Sequence, residues 1–109
     1  MSNTNNRVTS AHIDSVIVKE FYFTAGDGVY GDAHKRGDFE VQAFPESLDL
    51  MTFCVLTLAN GYMVTGESAC ASPGNFDEAK GRRIARENAR QKIWQLEGYA
   101  LRQPLVQNH

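Results

Sequence analysis

The chain has 109 residues, 42% of them hydrophobic and 22% charged, which suits one ordinary globular domain and leaves no room for a second. No apolar run approaches the roughly 18 residues that a membrane span requires, and a formal charge of −2 argues against broad coating of nucleic acid. Cys54 and Cys70 could form one bridge, but the Met-Ser-Asn start lacks the basic and apolar regions of a secretory signal, so reduced thiols are expected.

In chain order, residues 1–11 are mostly Asn, Ser and Thr with little to bury, and read as a flexible tail ahead of a single α+β domain over 12–109. Residues 13–23 are rich in β-branched and aromatic side chains and predict a first long strand. Residues 24–37 hold four glycines and two aspartates, a composition that supplies positive φ and Asx turns, and predict a loop. Residues 39–43 alternate weakly and predict a short strand. Residues 51–58 and 62–65 are apolar β-formers around Asn60-Gly61, which predicts a hairpin with a two-residue type I′ turn. After Ser72-Pro73-Gly74-Asn75, a near capping box of Asn75 and Glu78 predicts a long helix over about 76–97, ended by Gly98. The fold expected is a small antiparallel sheet of three to five strands packed on that helix.

The charge is unevenly placed. Residues 80–92 carry six cations against Glu87 alone, so a basic stripe lies on an otherwise acidic molecule. At a spacing of four, Arg82, Arg86 and Arg90 share one helix face, and guanidinium forks bind phosphate oxygens in pairs. The alternative is a solvated basic face, paired with the acidic strands or bridging a subunit interface, because like charges four apart repel and call for a compensating partner. Asn75 is either a simple cap or a contact at the helix's anion-favouring end. Most aromatics read as core; Tyr30, in the expected loop, is the exception, placed to stack a base. Ala85, Ala89, Ile93 and Leu96 form one apolar stripe and Phe76 with Trp94 a second, so the helix has edges for its own sheet and for a second subunit.

Catalysis and metal binding find little support. Gly66-Glu67-Ser68-Ala69-Cys70 falls short of a nucleophile elbow, because a cysteine stands where the second glycine belongs. His12, His34 and His109 are scattered, so Cys70 has no evident base, and no ligand spacing for a metal is present. No catalytic residue, metal or cofactor is expected.

The run from Asn60 to Asp77, with Gly81-Arg82-Arg83-Ile84-Ala85-Arg86-Glu87-Asn88-Ala89, Leu96-Glu97-Gly98-Tyr99 and Phe23-Thr24-Ala25-Gly26-Asp27-Gly28, closely resembles a family of small proteins of tailed phages and prophages. That resemblance implies an accessory protein acting in the host bacterial cytoplasm. In architecture, a sheet followed by a long arginine-bearing helix is similar to phage anti-Thoeris sponges, which sequester cyclic ADP-ribose signals. This second likeness implies Arg86 and Arg90 on ligand phosphates, Asn75 near the ribose or base, and Phe53 or Tyr30 against the base. The expectation is thus an anti-defence protein, a homo-oligomer, that holds a small phosphorylated nucleotide signal uncleaved. Its rivals are an inhibitor of a host protein by direct contact, a weak phosphodiesterase using Glu67, Ser68 or a histidine, and, least attractive, a nucleic-acid binder.

Overall fold

In chain order the fold runs helix, strand, helix, two strands and a long helix. The structure, a computed structural model, describes residues 7–38 and 45–107. Helix α1 spans Ser10–Val16, strand β1 Ile17–Thr24, helix α2 Ala25–Lys35, strand β2 Met51–Leu58, strand β3 Met63–Ala69 and helix α3 Glu78–Gln107. The strands form one antiparallel sheet in the order β1-β2-β3, with the middle strand alternating strictly between buried and half-buried residues. The α+β class, the hairpin and the long C-terminal helix on the sheet all match the sequence reading.

β2 and α3 meet at the core. Cys54, Leu56 and Leu58 from one face of β2 and Val64 of β3 pack on Ala85, Ala89 and Ile93 of α3, with Ile13 closing one end. Alanines at 85 and 89 let the helix lie close to the sheet, and Gly66 completes the approach. A Cβ at Gly66 would run into the Ala85 carbonyl and the Ala89 backbone nitrogen.

Several sequence expectations are corrected. Residues 13–16 belong to α1, whose cap is Thr9, its hydroxyl accepting from the His12 N–H at 3.1 Å. Four residues of the expected strand are therefore helical, and the end of the expected tail joins the fold. The expected loop at 24–37 is mostly α2. Thr24 and Asp27 form a complete capping box, the Thr24 hydroxyl accepting from Asp27 N and the Asp27 carboxylate from Thr24 N. Two reciprocal bonds at the start outweigh the roughly 1 kcal/mol that each interior glycine costs against alanine. The expected strand at 39–43 lies outside the described residues.

The hairpin turn is also different in type. Gly61 has φ +91°, but no described non-glycine residue has positive φ, so Asn60 does not adopt the type I′ geometry. Gly61 N donates to Leu58 O and Leu58 N to Tyr62 O. That is a three-residue connection, a turn followed by glycine in the left-handed region.

α3 is longer than expected and starts later. Asp77, not Asn75, caps it, its Oδ1 accepting from Lys80 N at 3.2 Å. The helix continues through Gly98 and Pro104. Thirty residues make a rod of about 45 Å, and its far end is held by the N-terminal segment: Leu101 and Pro104 share a cleft with Val8 and Thr9, and His12 Nε2 lies 3.2 Å from Glu97 Oε1. Such tertiary support overrides the local preference of one exposed glycine to end a helix. No helix among the described residues is long and apolar enough to cross a membrane.

Candidate functional site

α3 lies along the sheet with two unlike flanks. On the flank toward β1 and α1 stand Arg82, Arg86 and Arg90. Glu20 and Tyr22 alternate onto the helix-facing side of β1, opposite Leu56 and Cys54. Arg86 donates from Nε and Nη2 to the two Glu20 oxygens at 3.1 and 3.0 Å, a two-pronged ion pair that the Tyr22 hydroxyl reinforces by donating to Glu20 at 2.8 Å. The Arg86 contact holds the Glu20 carboxyl below its ordinary value, and burial, then the bond to Glu20, keeps the Tyr22 hydroxyl protonated well into alkali.

Arg90 is the most enclosed of the three. It donates to Asp14 Oδ1 at 3.0 Å, to Glu87 Oε1 at 3.0 Å and to the Ser10 hydroxyl at 2.9 Å, with its side chain 10% exposed. Arg82 pairs with Glu78 at 2.8 Å and lies 5.5 Å from the centre of the Tyr22 ring. The stripe thus faces the chain's own carboxylates, which answers the repulsion between like charges spaced by four.

The other flank is built differently. Between β2, β3 and the first turns of α3 lies a cavity of about 310 Å³, at the small end of the roughly 300–1,000 Å³ typical of ligand pockets. Thr52, Ser68 and Cys70 come from the sheet side, and Asn75, Phe76 and Lys80 from the chain entering the helix. Thr52 is 2% exposed, and its hydroxyl, against Gly81, is the one buried side-chain oxygen or nitrogen among the described residues without a hydrogen-bond partner. Burying an unpaired hydroxyl costs about 1–3 kcal/mol. The ammonium of Lys80 has no carboxylate partner among the described residues, and the side chains of Ser68 and Asn75 are likewise uncommitted there. Cys70 donates its thiol to the Ser72 carbonyl at 3.2 Å.

The six residues singled out from sequence do not converge within one chain. Arg82, Arg86 and Arg90 share the β1 flank, Asn75 lines the cavity on the β3 flank, and Tyr30 stands half-exposed on α2. Phe53 projects from the opposite face of the sheet, stacked on Phe23 with ring centres 5.6 Å apart. Thr52 and Lys80 were not singled out, and Ser68 entered only as a candidate group of the phosphodiesterase rival. Glu20 was the available signal for the arginine flank: a lone carboxylate on an apolar strand asks for a cation. Thr52 offered none, because threonine is an ordinary strand residue.

The cavity presents donors from Lys80, Thr52, Ser68 and Asn75 and one carboxylate, Asp77, whose Oδ1 accepts from Lys80 N. Cys54, fully buried, has its thiol pushed up by burial and is no nucleophile. Cys70 and His12 line different cavities. Among the described residues no three of His, Cys, Asp and Glu gather as metal ligands.

Compared with known proteins, the chain matches the model of one family, described as "Phage protein (N4 Gp49/phage Sf6 gene 66) family", over residues 8–105. No curated protein and no solved structure matches it.

Proposed function

From the premise that this chain belongs to the phage protein family of N4 Gp49 and phage Sf6 gene 66, we propose that it is an accessory protein that sequesters a small phosphorylated nucleotide signal without cleaving it, in the cavity at the start of α3. The observation that carries this reading is the unpaired Thr52 hydroxyl at the cavity floor. A native fold keeps such a group at a cost, and because Gly81 shields this oxygen, a ligand settling between the sheet and the start of α3 restores the missing bond by displacing Gly81 from it. Lys80 supplies the positive charge for a phosphate, Asn75 and Ser68 supply polar contacts to a sugar or base edge, and Phe76 supplies an apolar wall.

This reading moves the phosphate contact from Arg86 and Arg90 to Lys80. Displacing Glu20 or Asp14 from the arginines would leave a carboxylate and a phosphate competing for one guanidinium, whereas the Lys80 ammonium has no carboxylate partner among the described residues. Sequestration needs affinity and abundance only; a micromolar dissociation constant corresponds to about 8 kcal/mol, within reach of a few charge-assisted contacts and one packed ring.

Native mass spectrometry of the protein with a panel of cyclic ADP-ribose isomers and cyclic oligonucleotides, followed by heat release and re-weighing, tests it. The expected result is one adduct of unchanged mass that is lost in Thr52→Val and Lys80→Ala and retained in Arg86→Ala. Loss in Arg86→Ala alone returns the site to the arginine flank, and a changed ligand mass makes the protein an enzyme.

A second reading, inhibition of a host protein by contact, has its own support. Tyr62 and Met63 of the hairpin and Leu96 and Tyr99 of α3 line a groove of about 530 Å³, and all four are exposed, Tyr99 by 71%. Clustered exposed aromatic and aliphatic side chains suit a protein partner. No adduct with any member of the panel favours this reading.

A further inference from the structure

Among the described residues, α3 covers one face of the sheet and α2 packs through Gly28 on Phe23 at one end of the other, leaving the middle of that face open. The alternation that turns Glu20 and Tyr22 toward the helix turns Phe21 away from it, opposite Val55 of β2. Phe21 is 52% exposed and Met63, on the same face, 60%. Phe53 and Val55 between them are half-buried. Lys19 and Glu67 frame this apolar centre, and Lys92 of α3 reaches its β3 edge, donating to the Thr65 hydroxyl at 3.3 Å. Lys19 lies on one edge strand opposite Thr57, and Glu67 on the other edge strand opposite Phe53. Neither has an ion-pair partner among the described residues.

We propose that this face docks a second copy of the chain, with the strands of the two sheets crossing at close to a right angle. Lys19 and Glu67 occupy opposite corners about Val55, each displaced by one strand and by two residues, in opposite directions. With strands about 4.8 Å apart and about 6.8 Å per two residues, a two-fold axis at about 45° to the strands, near the other diagonal, brings each Lys19 to within about 3 Å, in the plane of the sheets, of the partner subunit's Glu67. The same operation lays Phe21 over the partner subunit's Phe53 and Val55 on the partner subunit's Val55. An aligned packing about an axis parallel to the strands instead sets Lys19 over the partner subunit's Met63 and leaves both charges without a mate. Of the two ways in which sheets stack, charge complementarity therefore selects the orthogonal one. The contact is isologous, so every pairing occurs twice and the assembly closes as a dimer. A domain of this size, with a small core of its own, gains most from such burial.

Sedimentation equilibrium of the full chain tests the proposal through the charges, which lie at the surface and leave the fold alone. Wild type is expected to dimerise in a concentration-dependent way. Lys19→Glu and Glu67→Lys each weaken the dimer about tenfold, by turning two attractions into two repulsions, and the double variant Lys19→Glu/Glu67→Lys recovers most of the loss. Phe21→Ser dissociates it, with circular dichroism showing an intact monomer. A dimer indifferent to both charge reversals overturns the proposal in favour of another interface. A wild-type monomer at all concentrations also overturns it. Ligand capture in the cavity, on the other face, is a separate readout that none of these outcomes alters.

Discussion

The two flanks of α3 both carry polar groups and end in opposite conditions. On the β1 flank, three arginines and four carboxylates satisfy one another, with Tyr22 and Ser10 filling in. On the β3 flank, Thr52, Ser68, Asn75 and Lys80 surround a cavity and none of their side chains has a partner among the described residues. A dense patch of charge is therefore a poor guide to a ligand site when the same fold delivers its counter-charges. A buried group left wanting, as Thr52 is, is the better guide, because desolvation without a bond is a cost that a ligand can remove, a cost the exposed Asn75 and Lys80 do not pay.

The seam that separates the flanks is the place to break this arrangement most severely. Gly66→Ala inserts a methyl group into backbone atoms at Ala85 and Ala89, which cannot rotate away, so α3 must lift from the sheet. The expected cost is about 3 kcal/mol, the upper part of the range for overpacked cores, read as a fall in the denaturation midpoint. Both flanks should suffer together. A Gly66→Ala protein as stable as wild type would mean that helix and sheet lie further apart than described.

A substitution confined to the closed flank should separate stability from binding. Arg90→Ala removes three side-chain partners and much buried stem, and is expected to lower stability by about 2 kcal/mol. Ligand adducts in the cavity should persist below the melting transition. Loss of the adduct with an intact fold would contradict the division of labour between the flanks.

Acid probes the same flank more gently. Arg86 depresses the carboxyl of Glu20 in the folded state relative to the unfolded chain, so the pair's contribution is complete at neutral pH and above the ordinary carboxyl range. It is lost as pH falls below about 4.5 and through the folded value. Because both partners are about one third exposed, the contribution should stay under about 1 kcal/mol and shrink in salt. Comparing wild type with Glu20→Gln by thermal melts from neutral to acidic pH should show their difference narrowing in that window. A constant difference would mean that the ion pair adds nothing.

Local chemistry made much of the fold legible. The apolar runs around Asn60-Gly61 gave the hairpin and its strands, and the series Ala85, Ala89, Ile93 gave the buried face of the helix. Leu96, placed on that same stripe by periodicity, is 41% exposed, because the hairpin tip leaves it beside the open groove. α2 was hidden by its glycines, although Thr24 and Asp27 spelled its capping box at the right spacing. The turn type went astray because Asn-Gly serves more than one hairpin connection, and the backbone placed only the glycine at positive φ.

What the sequence determined by itself is what depends on neighbours a few residues apart: strand and helix periodicity, the hairpin, and the concentration of positive charge in one helix. The tertiary structure decided the rest. Arg86 meets Glu20 across 66 residues and Arg90 meets Asp14 across 76, and Thr52 loses its hydrogen bonds only because Gly81 of a distant helix closes over it. Whether a polar group is satisfied depends on everything brought within about 3 Å of it, and that is a property of packing.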